Sequence, residues 1–245
     1  MRIAAISDVH GNAMALEAVL ADVAGRRVDV VVNLGDLLSG GLEPARTADL
    51  LIPLDLPTVC GNHERQVLTA RPGATGRSDA FARDRMTPRH LEWFASLPST
   101  VQVAPGVLAC HGTPTSDLTY LLHSIEGRAM RPATAGEVRD RVAGALHQRL
   151  VLCGHTHLAA VHQVEGGPLV VNPGSVGWPA YDDDEPSFHV VEAGSPHARY
   201  AVVDDAGGAW AAELVSVAYD WDAAARLARR NGRPDLVRPL TLGVL

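Results

Sequence analysis

The sequence predicts an α/β fold in which two mixed β-sheets pack against each other between flanking helices. In the first half of the chain, short apolar runs alternate with amphipathic helical patterns, which is typical of βα units. In the second half, apolar runs follow one another through Gly-rich turns, which favours a mainly antiparallel second sheet. The 245 residues are 47% hydrophobic and 20% charged, with no repeat or low-complexity linker. We therefore expect one domain over 1–245, with 221–245 as a C-terminal helical tail packed on it.

The first half supplies alternating strands and helices. The run 28–33 is apolar apart from Asp29 and Asn33, which favours a strand that is covered on both faces. Asn12 is a predicted N-cap, and Pro88 stands at a first helical position. The strands are predicted at 2–7, 28–33 and 58–60, and the helices at 12–24, 45–51, 64–69, 79–85 and 88–96.

The second half consists mostly of predicted strands. Glycine and proline separate the apolar runs, as in Pro105-Gly106. The segment 114–131 carries no clear periodicity, so we expect it to be irregular. The strands are predicted at 100–103, 107–110, 150–153, 159–164, 169–171, 187–191, 199–204 and 210–217, and the helices at 135–147 and 222–231.

The charge and composition of the chain argue against several classes of function. The formal net charge of −7 disfavours a non-specific nucleic-acid binder, which needs a basic surface, so no stable nucleic-acid binding is expected. All 21 basic residues are arginine, so no lysine Schiff base can form. The three cysteines argue against a disulfide framework. No apolar run is long enough to span a membrane and no signal peptide is evident, so we expect a cytoplasmic protein without membrane association.

Five short polar motifs each follow a predicted strand. In α/β sheets the carboxyl ends of strands are where ligands bind. Besides Asn12, His63 and Glu64, the motifs together carry two carboxylates, one amide and four imidazoles. Such a set is typical of a site that holds two divalent metals, and it indicates metal-assisted hydrolysis. The motifs are Asp8-Val9-His10-Gly11-Asn12, Gly35-Asp36, Gly61-Asn62-His63-Glu64, His111-Gly112 and Gly154-His155-Thr156-His157.

The spacing within the motifs predicts how the side chains converge. Asp8 and His10 are two residues apart at a strand end, so the period of a β-strand is expected to send both to the same face. A carboxylate and an imidazole together suit a borderline cation such as Mn²⁺, Fe²⁺ or Zn²⁺. His155 and His157 repeat this spacing. Asp36 follows a glycine that allows a sharp turn, and its two oxygens could bridge two ions.

The ordered set of motifs resembles the calcineurin-like metallophosphoesterase superfamily, and most of all its small bacterial and archaeal branch. The segment from Asn172 to Gly177 and the late Tyr219-Asp220 are similar to features of that branch. The resemblance runs from Asp8 to about Gly243. It implies an αββα sandwich with mixed sheets.

The resemblance also implies a division of labour among the motif residues. A first metal would be held by one set and a second metal by another, with Asp36 in both, and a hydroxide between the ions would attack phosphorus in line. His63 would be the catalytic histidine that binds no metal. Mn²⁺ is the first choice, with Fe, Zn, Ni, Co and Mg as alternatives. The first set is Asp8, His10, Asp36 and His157, and the second is Asp36, Asn62, His111 and His155.

One departure from related branches bears on the substrate. Phosphoprotein phosphatases and symmetric dinucleoside-tetraphosphate hydrolases carry a phosphate-binding arginine shortly after the Gly-Asp motif, where this chain has Gly40. This favours a phosphodiesterase acting on small phosphodiesters or nucleotides. A phosphomonoesterase or phosphoprotein phosphatase is the alternative, followed by a non-catalytic metal-binding scaffold. Arg65, Arg71 and Arg77 are candidate replacements for the missing arginine, or ordinary surface arginines.

For several further features the sequence leaves more than one interpretation open. Asn12 caps its helix or contacts a substrate phosphate, and Arg65 is a weak candidate for substrate binding. Glu64 begins a helix or orients a metal-bound imidazole. The acidic run 182–185 overhangs the site, where it would repel anions, or forms a surface loop. The oligomeric state is open, with a homo-oligomer as one alternative.

Overall fold

The computed structural model describes residues 1–69 and 76–245. Arg71, one of the candidate arginines, lies outside the described residues. The helices are α1 (Ala13–Ala24), α2 (Pro44–Leu51), α3 (Asn62–Thr69), α4 (Arg77–Arg83), α5 (Pro88–Ser96), α6 (Ala135–Arg141), α7 (Trp221–Arg230) and α8 (Val237–Leu242). The strands are β1 (Arg2–Ile6), β2 (Val30–Asn33), β3 (Thr100–Ala104), β4 (Val107–Cys110), β5 (His123–Glu126), β6 (Ala129–Pro132), β7 (Leu150–Leu152), β8 (Ala160–Gln163), β9 (Leu169–Asn172), β10 (Ala180–Asp183), β11 (His189–Glu192), β12 (Ala198–Asp204) and β13 (Ala211–Val217).

Two mixed sheets form the predicted sandwich. The first has the strand order β13-β12-β1-β2 and the second the order β3-β4-β7-β9-β8. Strand β1 shows why they pack together, because both of its faces are buried. Ile3 and Ala5 face the core between the sheets, whereas Ala4 and Ile6 face the core that includes α1. Each large aliphatic side chain buried in this way contributes about 1.5–3 kcal/mol.

The second sheet is not mainly antiparallel, and that expectation was wrong. Strands β4, β7 and β9 are parallel, and only the outer strands β3 and β8 run against them. The long late strands β12 and β13 join the first sheet instead, where β12 pairs antiparallel with β1 from Arg2 opposite Asp204 to Ala5 opposite Ala201. Apolar alternation predicts a strand but does not say which sheet it enters.

Three local predictions were also wrong. The segment 114–131 contains β5 and the start of β6, a hairpin that turns at Gly127 with φ +66°. Its strands are short and polar, so they show little alternation. Residues 58–60 form only a single bridge, between Thr58 and Asn33. The helix expected over 135–147 ends at Arg141 and continues as a 3₁₀ turn, Ala143–Ala145, around the poor helix former Gly144.

The topology brings four strand ends to one edge of the sandwich. Strands β1 and β2 are parallel in the first sheet, as are β4 and β7 in the second. Their carboxyl ends are followed by Asp8, Asp36, His111 and His155, respectively. Within residues 1–69 and 76–245, no helix has the length and hydropathy needed to cross a lipid bilayer.

Candidate dinuclear metal centre

The backbone at the candidate ligands is left-handed, which changes the reason for their convergence. Strand β1 ends at Ile6, so Asp8 and His10 lie beyond it with φ of 55° and 50°. We had expected the period of a β-strand to send both side chains to the same face. The structure shows that this turn gives them their shared direction instead. Asp36, His155 and His157 are left-handed too, at 55°, 69° and 55°. Non-glycine residues in this conformation cost about 1–2 kcal/mol each. Five of the seven such residues among those described lie together here, and this clustering of strain indicates a functional site.

Backbone hydrogen bonds hold these strained loops together. The amide of Asp8 donates to Gly35 O and that of His10 to Asp36 O, both at 3.0 Å. On the other side, the carbonyl of Asp8 accepts from Ser175 Oγ at 2.8 Å and from the Gly177 amide at 3.0 Å. The turn after β9 therefore braces the first ligand loop.

The ligand atoms fall into two buried groups that share Asp36. One group is Asp8, His10, Asp36 and His157, and the other contains Asp36, His111 and His155. Within each group, ligand atoms lie within 4.8 Å of one another. Asn62 joins the second group, because its Oδ1 lies 3.1 Å from Nε2 of His111. The structure thus brings the sequence-predicted ligands together in the two sets that the resemblance implied.

The first group has the chemistry of a cation site. Nδ1 of His10 lies 2.6 Å from Ser39 O, and Nδ1 of His157 lies 2.5 Å from Trp178 O. Each Nδ1 therefore carries the proton and donates to a carbonyl, as in metal-ligating histidines. The two bare Nε2 atoms face each other at 3.0 Å. Asp8 Oδ1 is buried without a hydrogen-bond partner. Lone pairs converging in this way fit a metal ion.

The second group has the same organisation. Nδ1 of His111 donates to Leu34 O at 2.7 Å, and its Nε2 lies 3.1 Å from Asp36 Oδ2. Nε2 of His155 lies 3.1 Å from Leu118 O, so the hydrogen bond leaves Nδ1 for a metal. Two imidazoles, a carboxylate and an amide oxygen suit a borderline divalent cation.

Burial and mutual charge set the protonation of these groups. Burial would raise the pKa of Asp36, but the positive charges of His111 and His63 hold it well below its usual range. Burial, followed by the charge of His157, lowers the pKa of His10 to about 3. Burial and His111 lower the pKa of His155 to about 3. These two rings are neutral at pH 7, the state that ligates metals. Burial would lower the pKa of His111, but the charge of Asp36 raises it to about 10, so His111 would have to lose a proton to bind a metal.

Glu64 ties two ligand loops together and touches no imidazole. It is buried, and its carboxylate accepts from the amides of Asp36 at 2.8 Å, Leu37 at 2.9 Å and Gly61 at 2.9 Å. It also lies in the first turn of α3, as the helix interpretation required. The suggestion that it orients a metal-bound imidazole was wrong.

His63 stands beside the ligand groups and has its own partner. Its Nδ1 lies 2.6 Å from Asp79 Oδ1, and its ring centroid lies 5.3 Å from that of His10. Burial would lower the pKa of His63, but the charge of Asp36 and the hydrogen bond to Asp79 raise it to about 9. The sequence analysis missed Asp79. Its only signal was an acidic residue in the first turn of α4 beside the buried Phe81 and Ala82.

A cavity of about 940 Å³ opens over the ligand groups. The acidic run 182–185 lines it, as the overhanging interpretation requires, although Asp182, Asp184 and Glu185 are also exposed. Arg77 lies on the same cavity, as do Arg233 and Asp235, which the sequence analysis missed. Nothing in the local sequence distinguishes these two residues from others in the tail.

The two weak candidates for substrate binding lie elsewhere. Asn12 is buried, its Oδ1 caps α1 at Ala15 N, and its Nδ2 donates to Gly177 O and Tyr219 Oη. Arg65 makes a bidentate pair with Asp117 at 2.6 and 2.9 Å. It lines a second cavity of about 590 Å³, which His111 also lines. The N-cap prediction is confirmed, and a substrate role for either residue stays a prediction.

The cysteines have no ligand role in this centre. Cys60, Cys110 and Cys153 are free thiols, and none belongs to either ligand group. Burial raises the pKa of Cys110 to about 12, so its thiol stays protonated.

A helix-flanked sandwich with two buried groups of carboxylates and imidazoles at one edge defines a metal-dependent hydrolase. Residues 1–195 match the model of the calcineurin-like phosphoesterase superfamily domain. The chain therefore belongs to this superfamily, as the motifs indicated, and the family supports a phosphoester hydrolase.

Individual relatives agree over the whole length. The chain is 26% identical over 257 aligned positions to an uncharacterised protein of Methanocaldococcus jannaschii, covering 95% of this chain and 94% of that one. A metallophosphoesterase structure from Sphaerobacter thermophilus is 26% identical, covers 100% of both chains and has a TM-score of 0.77. A hypothetical protein from Pyrococcus horikoshii is 15% identical over 99% of this chain and 98% of that one, with a TM-score of 0.78, and shares the fold.

Proposed function

We propose that the protein is a dinuclear-metal-dependent phosphodiesterase that hydrolyses small phosphodiesters or nucleotides. The observation that carries the proposal is the pair of buried ligand groups that meet at Asp36. Asp8, His10, Asp36 and His157 would hold one ion. Asp36, Asn62, His111 and His155 would hold the other. When bound, two divalent ions supply Lewis acidity to the phosphoryl group and lower the pKa of a water. Mn²⁺ is the first metal to test.

His63 is the proposed general acid. It lines the cavity, and it lies outside both ligand groups. Because Asp79 accepts from Nδ1, the ring is fixed with Nε2 as the remaining nitrogen for proton transfer. A proton held there at neutral pH can pass to the leaving oxygen of the ester.

The charge that lines the cavity supports a diester over a monoester, and packing excludes a guanidinium from residue 40. A side chain at residue 40 is ruled out by packing, because an added Cβ would lie 2.1 Å from His10 O. An arginine therefore cannot be placed there. The four acidic residues 182–185 also line the cavity, and their charge would repel a dianionic monoester more than a singly charged diester.

The test compares bis-p-nitrophenyl phosphate with p-nitrophenyl phosphate, using Mn²⁺-loaded protein. We expect kcat/KM for the diester to exceed that for the monoester about tenfold or more. Asp36→Ala and His63→Ala should each lower it by about 10²-fold or more. His147→Ala, which changes an exposed histidine, is the control.

The possible results separate the alternatives. Preference for the monoester would identify a phosphomonoesterase. Metal-loaded protein that shows only the Asp36→Ala background on a broad panel of phosphoesters would contradict hydrolysis, and would leave the metal-binding scaffold.

A further inference from the structure

We propose that the C-terminal segment completes the substrate site, and that Arg233 and Arg77 bind a phosphoryl oxygen of the substrate. This inference rests on the proposed phosphoesterase function. It assigns a role to residues beyond 195, where the match to the family model ends.

The charges around the cavity provide the first argument. An anionic ester must enter a space lined by the carboxylates of 182–185, Asp79 and Asp235. Among the described residues lining it, Arg77 and Arg233 are the two arginines, and the chain contains no lysine. A guanidinium is also the group best matched to the geometry of phosphate oxygens.

The position of Arg233 provides the second argument. Its side chain is 5% exposed, and Nη1 donates to Gly40 O at 3.1 Å. Gly40 packs directly on the backbone of His10, and Ser39 O accepts from the His10 ring. The guanidinium is thus attached to the loop that supports a candidate metal ligand.

The whole segment is built onto that loop. Asn231 Nδ2 donates to Gly41 O and Leu42 O, both at 2.9 Å. Together with the bond to Gly40, three successive carbonyls accept from the tail. Gly41 allows this close approach, because a Cβ there would lie 2.5 Å from Leu236 Cδ1. Leu236 in turn packs in an apolar cluster with Leu42. The position of Arg233 is therefore fixed.

Asp235 aligns the two arginines. It accepts from Arg233 Nε at 3.0 Å and Nη2 at 2.8 Å, and it pairs with Arg77 Nη1 at 3.3 Å. Arg233 Nη2 carries a second hydrogen, which an anion in the cavity can accept. The trio keeps one net positive charge opposite the ligand groups.

Arg233 also contacts the helix that carries the partner of His63. Its Nη1 lies 3.1 Å from Ser78 Oγ, and Ser78 precedes Asp79. Loss of Arg233 could therefore act through Asp79. A binding measurement with a simple anion separates these roles, because it does not depend on proton transfer by His63.

The experiment measures binding of inorganic phosphate to Mn²⁺-loaded protein by calorimetry, with metal content and Tm recorded for each variant. Arg77→Gln and Arg233→Gln should each weaken phosphate binding about tenfold, as expected for a charged hydrogen bond. The matched control is Arg226→Gln, whose side chain is 61% exposed and pairs with Asp220 in the same C-terminal segment. It should stay within twofold of the wild type.

The criterion covers every result. A loss of fivefold or more in either variant, at unchanged metal content and Tm, supports the proposal. Smaller losses in both variants, or losses that occur only together with a change in metal content or Tm, overturn it. If Arg233→Gln does not fold, Arg233→Lys replaces it under the same criterion. Lysine keeps the positive charge but lacks the paired N–H donors of a guanidinium.

The result is independent of the hydrolysis test. If phosphate binding depends on the arginines but the protein cleaves no ester, the proposed hydrolysis is contradicted and the role of the arginines is supported. Ester hydrolysis with phosphate binding indifferent to both arginines would contradict only the role of the C-terminal segment.

Discussion

The two walls of the main cavity are built in different ways. The ligand wall consists of the loops after β1, β2, β4 and β7 together with Asn62, and its side chains are buried and braced by backbone hydrogen bonds. The outer wall consists of Arg77, the run 182–185, Arg233 and Asp235. Apart from the buried Arg233, its charges are largely exposed, and ion pairs join Asp235 to both arginines. The difference suggests that the ligand wall determines which chemistry occurs, whereas the outer wall selects the molecule that undergoes it.

The largest effect is expected from loosening the ligand wall without touching a ligand. The carboxylate of Glu64 accepts hydrogen bonds from three backbone amides. In Glu64→Gln, one carboxylate oxygen becomes an NH₂ group, which cannot accept a hydrogen bond from an amide. Each amide left unsatisfied costs about 1–3 kcal/mol, and metal affinity should fall about 10- to 100-fold. Thermal unfolding and metal titration check both effects.

Glu92→Gln, on the exposed face of α5, is the matched control. Unchanged metal affinity in Glu64→Gln would mean that the ligand wall does not depend on its bracing, and the contrast between the walls would fail.

A smaller effect is expected where the two walls meet. Asp79→Asn removes the carboxylate that holds His63 but leaves both ligand groups intact. We expect kcat on the diester to fall about 10-fold, a fraction of the full contribution of a general acid, with metal content unchanged. Steady-state kinetics and elemental analysis measure the two quantities.

Asp84→Asn, an exposed change just beyond α4, should behave as the wild type. If Asp79→Asn also released metal, Asp79 would belong to the ligand wall and not to the junction.

The smallest effect is expected on the outer wall. Neutralising two exposed carboxylates, Asp182→Asn with Asp184→Asn, should raise kcat/KM for the monoester relative to the diester about two- to fivefold. The change should shrink at high salt, because the Debye length falls from about 10 Å at 0.1 M to about 3 Å at 1 M. Kinetics of both esters at two ionic strengths test this.

Glu126→Gln with Glu165→Gln removes the same charge away from the cavity. An equal shift in that control would show that net charge acts, and that the outer wall has no local role.

The two walls also differ in how far sequence could predict them. The seven ligand positions were predictable because each lies in a short motif after a strand, although the left-handed turns that aim Asp8 and His10 were not. Arg233 and Asp79 could not be found, because their positions depend on contacts with Gly40 and His63 that are 193 and 16 residues away in sequence. The fold shows the same limit, since β12 pairs with β1 across almost the whole chain.

The left-handed residues have a consequence for how such a chain can change. At Asp8, His10, Asp36, His155 and His157 the backbone would favour glycine, which adopts positive φ without a steric penalty. A chain selected for stability alone would drift toward glycine there, and each step would remove a ligand. Five of the seven non-glycine residues with this backbone among the described residues are therefore candidate metal ligands, and at these five the stability given up coincides with the chemistry that the centre requires.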